Sequence, residues 1–299
     1  MLPTYLKPGD KVAVIATAKI PEKASIEEGI RVLKSWGLSI EEGKHLYKKF
    51  HTFAGNDAER LQDFQNALNA PEIKAIFFAR GGYGTQRIID LIDISPLDKY
   101  PKWLIGFSDL TVTHFLLQKN KIPSVHGAMP ASFVQAGSEN ALQTLHDLLF
   151  GIDFSYKIPP SAINRPGLGK GELIGGNISL ISNNIGTTTD IDFSGKILFL
   201  EEVGEYLYHL DRMMVHLKRA GKLTHIAGLI VGAFFDMKDN ETEFGKSANE
   251  IVLDAVKEFN YPVCFDFPAG HIANNQPLLF GHPATLEVSS TKVFLSYSR

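Results

Sequence analysis

The first half of the chain alternates short apolar runs with segments of helical periodicity. The pattern predicts a buried strand at residues 11–17 and further strands at 38–42, 73–79, 103–107 and 124–126. The periodic segments predict helices at residues 25–37, 56–68, 85–92, 110–118 and 140–149. Strands that alternate with helices of about ten residues are typical of a parallel sheet covered on both faces. The pattern therefore predicts an α/β fold for this half.

Two of these helices begin with residues that match the capping pattern. Ser25 is followed three residues later by Glu28, and Asn56 is followed by Glu59. In such a pair the first side chain accepts a backbone N–H of the first turn, and the acid bonds back to the cap residue. We expect both pairs to define helix starts.

The stretch 156–171 differs from what precedes it, because it is rich in proline and glycine and has little periodicity. It predicts a linker between an N-terminal domain at 1–155 and a C-terminal domain at 172–299. In the second region apolar runs predict strands at 195–201, 225–232, 284–288 and 292–297, and a periodic segment predicts a helix at 206–219. The second domain is therefore expected to be mixed α/β as well.

Composition places the chain among ordinary soluble globular proteins. Of its 299 residues 44% are hydrophobic and 21% charged, and the formal net charge is −3. There is no basic surplus for nucleic acid and no apolar window long enough to span a membrane. The N-terminal stretch lacks the long apolar run of a signal peptide, so we predict a cytoplasmic protein. The one cysteine, Cys264, lies in an apolar run and is expected to be buried and inert.

Three familiar ligand motifs are absent or incomplete. The sequence Phe-Gly-Lys-Ser at 244–247 resembles the end of a P-loop, but Asn240 stands where its first glycine belongs. The glycines at 167–171 lack the third glycine of GxGxxG and do not follow a first strand. The histidines form no HExxH pair. We therefore predict no cofactor and no catalytic metal.

The segment Ile-Gly-Phe-Ser-Asp-Leu at 105–110 joins a predicted strand to a predicted helix. At such a junction Ser108 can present its hydroxyl at the carboxyl edge of the sheet, and Gly106 leaves room for a sharp turn. The backbone N–H after the serine can face a developing oxyanion. Leu110 departs from the GxSxG pattern, and a serine before a helix is commonly only an N-cap. The residues alone leave both interpretations open.

The segment Arg-Gly-Gly-Tyr-Gly at 80–84 closes another predicted strand. Its glycines allow backbone to approach a ligand closely and can direct N–H groups toward an anion. The alternative is a plain tight turn. Both segments end predicted parallel strands, and open α/β sheets bind ligands at that edge.

Acids and one histidine of the second region can complete a hydrolytic site. Glu201, Glu202 and Glu205 end a predicted strand, and one of them can orient a histidine. His271 follows a glycine in a segment rich in turn residues. The other histidines that compete for the role of base are His114, His126, His209 and His282. The residue types give Ser, Glu and His in chain order and leave the choice of histidine open.

Five segments together resemble the LD-carboxypeptidases, a family of serine peptidases that includes the microcin-immunity peptidases. They are RGGYG, GFSD, the Gly-Gly-Asn at 175–177, FLEEVGE and FPAGH, in the family's order and over nearly the whole chain. The resemblance implies a flavodoxin-like N-terminal domain that carries the nucleophile. It also implies a C-terminal mixed, partly barrel-like domain, a homodimer, and no metal requirement.

The resemblance also implies roles for particular residues. Ser108 is then the nucleophile, His271 the general base and Glu201 the partner of the histidine. Glu202 is the rival of Glu201, because neighbouring strand residues point to opposite faces and only one can face the site. The site is expected to form between the two predicted domains.

The remaining implied groups surround the nucleophile. The backbone N–H groups of Gly82 and Asp109 are implied as the oxyanion hole. An exopeptidase must also hold a terminal carboxylate, and Arg80 with the adjacent Gly81 amide can do so. The alternative for Arg80 is a structural ion pair.

The implied substrate is a small peptide, a cytoplasmic murein tetrapeptide whose terminal D-Ala is removed during peptidoglycan recycling. Two alternatives remain open. Some relatives cleave aminoacyl-nucleotide toxins of the microcin type with the same triad. A non-catalytic module could instead use the GFSD and RGGYG segments to bind a phosphate or carboxylate.

Overall fold

The computed structural model describes residues 2–298, which form two compact units. Unit 1 contains residues 2–153 together with Ala273–Leu279, and unit 2 contains Phe154–Ile272 together with residues 280–298. Each unit is built around its own sheet. A short segment from late in the chain thus belongs to the first unit.

The strands are β1 (Lys11–Ile15), β2 (Ser39–Glu42), β3 (Lys49–Phe50), β4 (Phe53–Ala54), β5 (Ile73–Phe78), β6 (Trp103–Gly106), β7 (Ser124–His126), β8 (Tyr156–Ile158), β9 (Gly167–Asn177), β10 (Ile197–Val203), β11 (Gly228–Phe235), β12 (Val263–Cys264), β13 (Leu278–Phe280), β14 (Pro283–Val288) and β15 (Val293–Tyr297). The helices are α1 (Lys23–Ser35), α2 (Asp57–Asn69), α3 (Pro96–Lys99), α4 (Thr111–Lys119), α5 (Glu139–Phe150), α6 (Ile178–Asn184), α7 (Leu207–Arg219) and α8 (Ala248–Val256). No helix within residues 2–298 is long and apolar enough to cross a bilayer.

The sheet of unit 1 has the strand order β13-β7-β6-β5-β1-β2. The pairs β2–β1, β1–β5, β5–β6 and β6–β7 are all parallel. With the short β3–β4 hairpin left out, the first five strands follow the flavodoxin-like order 2-1-3-4-5. This confirms the predicted N-terminal fold. It also makes β5 and β6 neighbours, so the two candidate segments that follow them begin at the same edge.

The sheet of unit 2 has the order β12-β11-β10-β9-β14-β15-β8. Strands β9 to β12 pair in parallel, whereas β9–β14, β14–β15 and β15–β8 pair antiparallel. The mixed α/β architecture is confirmed. Within the described residues the sheet is open, with β12 and β8 at its edges, so the expectation of a partial barrel is corrected to an open mixed sheet.

The two predicted helix caps have different outcomes. Asn56 accepts the N–H of Glu59 at 3.0 Å, and the Glu59 carboxylate accepts the N–H of Asn56 at 2.9 Å, so this capping box is confirmed. The prediction for Ser25 is wrong, because α1 begins at Lys23 and the Ser25 hydroxyl donates to the Glu22 carboxylate at 3.3 Å. Ser25 already lies in the first turn, where it cannot act as the cap.

The helix predicted at 85–92 is also wrong. The structure has two short 3-10 turns there, Thr85–Arg87 and Ile89–Leu91. Ile88 and Ile92 are buried in the core of unit 1, which accounts for the apolar periodicity. The first N–H of the segment, that of Thr85, is donated to the Asp109 carboxylate at 2.9 Å. Tertiary contacts therefore fix this segment in place of a continuous helix.

The stretch 156–171, for which composition predicts a linker, contains β8 and the first part of β9. Its glycines have a packing reason. A Cβ at Gly169 would lie 2.4 Å from the Ala227 carbonyl oxygen, and one at Gly171 would lie 2.1 Å from the Gly195 carbonyl oxygen. Glycine is required here because other backbone approaches a strand closely, not because the chain is flexible.

Candidate functional site

Ser108 occupies a sharp turn between β6 and α4. It begins the 3-10 turn Ser108–Leu110 and has a φ of +63°, in the left-handed region. That conformation costs an L-residue about 1–2 kcal/mol. The Thr111 hydroxyl donates to the Ser108 carbonyl at 2.7 Å and helps to hold the turn. A strained serine between a strand and a helix is the geometry of a nucleophile elbow.

Two glycines make room for this turn. A Cβ at Gly106 would lie 2.9 Å from Leu110 Cγ, so only glycine lets the leucine side chain pack there. A Cβ at Gly81 would lie 3.1 Å from Ser108 Cβ and 3.3 Å from Ser108 Oγ. The loop after β5 therefore packs directly against the serine that follows β6.

Asp109 ties these two segments together through its side chain. Asp109 is buried, and its Oδ2 accepts the N–H of Thr85, the residue that follows the glycine-rich loop. Burial raises the pKa of the Asp109 carboxyl, while hydrogen bonds from Thr85 and Gly84 and the charge of Arg60 act in the opposite direction. The backbone N–H of Asp109, predicted as an oxyanion donor, lies beside the same loop, since a Cβ at Gly81 would be 3.4 Å from that nitrogen.

Arg80 is half-buried at the end of β5. Its Nη1 donates to the Ile20 carbonyl oxygen at 3.3 Å, and no carboxylate pairs with it among residues 2–298. The alternative of a structural ion pair is therefore wrong. Gly82 has a φ of +116°, and a Cβ there would lie 2.7 Å from Lys19 Cδ. The stem of Lys19 thus covers the second glycine of the loop.

In unit 2, the buried Glu201 and the partly exposed His271 form a hydrogen-bonded pair. Glu201 Oε2 lies 2.6 Å from His271 Nδ1, and the Glu201 side chain is 0% exposed. Gly270 has a φ of +119°, and a Cβ there would lie 3.0 Å from Glu201 Oε2, so glycine lets the histidine loop approach the strand. Burial works to lower the pKa of His271, but the charge and hydrogen bond of Glu201, with the charge of Glu202, raise it overall.

Glu202 points elsewhere. Its carboxylate accepts from Asn177 Nδ2 at 2.7 Å, from the Ser179 hydroxyl at 2.5 Å and from the Ser179 N–H at 3.1 Å. Burial raises the pKa of Glu202, and these hydrogen bonds oppose the rise. Of the two rivals it is therefore Glu201 that contacts His271, while Glu202 holds the turn after Gly-Gly-Asn.

The competing histidines have other partners. His114 Nε2 lies 2.9 Å from the Gly106 carbonyl oxygen and Nδ1 lies 2.7 Å from Ser124 Oγ; burial lowers the pKa of His114 to about 4. The ring of His126 packs edge-on against Phe107. His209 pairs with Glu205 at the start of α7, where both are partly exposed. His282 Nε2 bonds the Ser298 carbonyl oxygen at 2.7 Å. His271, in contrast, pairs with a carboxylate that is fully buried.

The predicted site residues thus fall into two groups, one in each unit. Five gather at neighbouring strand ends in unit 1, and the pair of unit 2 is in direct contact. The first group is Arg80, Gly81, Gly82, Ser108 and Asp109, and the second is Glu201 and His271. The sequence interpretation missed Lys19 and the bond between Thr85 and Asp109. For Lys19 the available signal was its place shortly after β1, at the same sheet edge.

Comparisons with known proteins match most of the chain. Residues 12–127 match the LD-carboxypeptidase N-terminal domain, and residues 170–286 match the LD-carboxypeptidase C-terminal domain. A probable murein peptide carboxypeptidase of Bacillus subtilis is 33% identical over 292 residues, covering 96% of this chain and 92% of that protein. The crystal structure of a muramoyltetrapeptide carboxypeptidase from Oxalobacter formigenes has a TM-score of 0.89 at 29% identity, covering 97% of this chain and 99% of that one. An MccF-like protein from Bacillus anthracis has a TM-score of 0.86 at 22% identity, with both chains fully covered, and shares the fold.

Proposed function

The chain belongs to the LD-carboxypeptidase family and is a serine-type carboxypeptidase, and on that basis we propose that its substrates are murein tetrapeptides. The enzyme removes the terminal D-Ala from the L-centre of the diamino acid, in the cytoplasm, as a step of peptidoglycan recycling. The observation that carries the proposed chemistry is the left-handed turn of Ser108 against Gly81. The substrate class is supported by the relatives, which are named for murein and muramoyl peptides.

The proposed reaction proceeds through an acyl-enzyme. Ser108 Oγ attacks the scissile carbonyl carbon while His271 Nε2 takes the hydroxyl proton. Glu201, bonded to Nδ1, holds the imidazole tautomer and stabilises the imidazolium that forms. His271 then gives the proton to the amine of D-Ala, which leaves. Water, deprotonated by the same histidine, hydrolyses the ester and regenerates Ser108.

The negative charge that develops on the carbonyl oxygen is received by backbone donors. We assign this role to the N–H groups of Gly82 and Asp109. A single donor of this kind contributes roughly 3–4 kcal/mol, a hundredfold or more in rate. The bond between the Asp109 carboxylate and Thr85 N–H supports the assignment, because it fixes the loop of one donor to the turn of the other.

The free carboxylate of the substrate requires a cation at the product side. Arg80 has no carboxylate partner within the described chain, and its guanidinium can bind both oxygens of a carboxylate at once. The adjacent Gly81 amide is a further donor. This need for a terminal carboxylate makes the enzyme an exopeptidase.

The direct test is D-Ala release from a murein tetrapeptide by the wild type and by Ser108→Ala. We expect release by the wild type and a loss of at least a thousandfold in the variant, with an unchanged melting temperature as the control for folding. D-Ala release by Ser108→Ala at the wild-type rate would refute the mechanism. An aminoacyl sulfamoyl adenosine is assayed in parallel, and faster cleavage of that compound by the wild type would favour a microcin-type substrate instead.

A further inference from the structure

We propose that Lys19 and Arg80 together form a receptor for the terminal carboxylate of the substrate, with Lys19 as a specificity residue that the motifs do not contain. The proposal rests on the carboxypeptidase function proposed above. It adds a second cation to the site and assigns that cation to substrate recognition rather than to the reacting carbonyl.

Both cations lie at the carboxyl edge of the unit 1 sheet. Lys19 follows β1 and Arg80 follows β5, and these strands are parallel neighbours. Arg80 Nη1 donates to the carbonyl of Ile20, the residue next to Lys19. Lys19 itself forms a bridge to Phe53 of β4, which fixes its backbone. Two separate segments therefore bring two positive side chains to the same edge of the sheet.

Neither cation is neutralised by the protein. Within residues 2–298 no carboxylate forms an ion pair with Lys19 or Arg80, whereas neighbouring basic residues such as Arg60 and Arg87 pair with Asp57. An exposed lysine without a partner is common by itself. Two such cations next to the proposed nucleophile and oxyanion loop form a site that favours an anion.

The spacing fits the end of a peptide. Gly81 contacts Ser108, and the stem of Lys19 lies on the next residue, Gly82. Consecutive residues lie about 3.8 Å apart. In the substrate, the scissile carbonyl carbon and the terminal carboxyl carbon are likewise separated by a single residue, the D-Ala. With the carbonyl at Ser108, the carboxylate lies about one residue's length away, and both Arg80 and the Lys19 stem at Gly82 are one residue from Gly81 along the loop.

The experiment separates carboxylate binding from catalysis by using two ligands. Affinity for the tetrapeptide and for its C-terminal amide is measured by calorimetry in a Ser108→Ala background, where the peptide stays intact. Lys19→Met keeps the apolar stem over Gly82 and removes the charge. Lys34→Met, at an exposed lysine of α1 with no ion pair in the described chain, is the matched control.

We expect Lys19→Met to weaken binding of the free acid by roughly 10- to 100-fold, the range for one charge-assisted hydrogen bond, and to leave the amide unaffected. Arg80→Met should act in the same direction, and Lys34→Met should change neither affinity. Equal weakening of acid and amide by Lys19→Met would overturn the proposal, and so would no effect on either. Failure of the carboxypeptidase function itself is distinguishable, because the wild type would then release no D-Ala.

Discussion

Replacement of Glu201 by glutamine is the sharpest test of the unit 2 pair. Glutamine has the shape of glutamate without its charge. Glu201 Oε2 bonds His271 Nδ1, whereas its Oε1 is buried without a hydrogen-bond partner among the described residues. A glutamine must turn either its oxygen or its NH₂ group toward the histidine. The first choice leaves a buried NH₂ group with no acceptor, and the second fixes the imidazole in the wrong tautomer.

The magnitude follows from these two costs. An unsatisfied buried donor costs about 1–3 kcal/mol of stability. The wrong tautomer places the proton on Nε2, the atom that accepts the proton of Ser108 in the proposed mechanism, and the imidazolium loses its counter-charge. The equivalent Asp→Asn change in a serine protease triad lowers kcat by about 10⁴. We expect Glu201→Gln to lower kcat by roughly 10³ to 10⁴, or about 4–5.5 kcal/mol.

The assay is the pH dependence of kcat/KM for D-Ala release. In the proposed mechanism His271 must be neutral to act as the base, so we expect wild-type activity to rise with pH through the pKa of His271, which Glu201 and Glu202 hold above its usual 6.5. In Glu201→Gln this acid limb shifts to lower pH as the residual rate falls. Glu202→Gln is the matched control, because Glu202 is also buried but bonds Asn177 and Ser179 in place of His271. Glu202→Gln should shift the acid limb of the pH profile only slightly and lower kcat far less than Glu201→Gln does. Activity of Glu201→Gln within tenfold of wild type, or a larger loss in Glu202→Gln, would refute the assignment.

Two further predictions concern unit 1 and metal dependence. Gly81→Ala places a methyl group 3.1 Å from Ser108 Cβ and 3.3 Å from its Oγ, so kcat should fall at least tenfold with little change in melting temperature. Gly127→Ala is the control, because a Cβ at Gly127 meets no atom closer than 3.5 Å. Equal kinetics in the two variants would contradict the contact between Gly81 and Ser108. EDTA should leave D-Ala release unchanged, whereas inhibition that added Zn²⁺ reverses would indicate a metal enzyme.

Periodicity predicted the central strands of unit 1 because they are almost entirely buried, whereas β9 and β12 of unit 2 were not predicted. Apolar runs such as 73–79 are continuous, and turn residues bound them closely. The same rule failed at 85–92, where isoleucines are buried in the core but the N–H of Thr85 is bonded to Asp109, 24 residues away. Apolar spacing reports burial, and it cannot tell a helix from turns that a distant carboxylate holds in place.

The glycines of 156–171 and those of 80–84 make room for different kinds of neighbour. The glycines of 156–171 contributed to the prediction of a linker, yet Gly169 and Gly171 are needed because another backbone lies against them. At Gly81 and Gly82 the neighbours are side chains, those of Ser108 and Lys19. Sequence states that a Cβ is missing but does not state which atoms take its place, since those atoms come from other segments.

Strand geometry alone separates Glu201 from Glu202 but does not decide which of them contacts the histidine. Alternation along β10 requires Glu201 and Glu202 to face opposite sides, which is a deduction from sequence. The choice between them depends on which face receives the loop that carries Gly270 and His271, and that contact spans 70 residues. Glu202 is a second buried acid beside Glu201, so its carboxylate needs hydrogen-bond donors of its own. Asn177 of the Gly-Gly-Asn segment and the nearby Ser179 supply those donors, and they allow Glu202 to be buried next to Glu201.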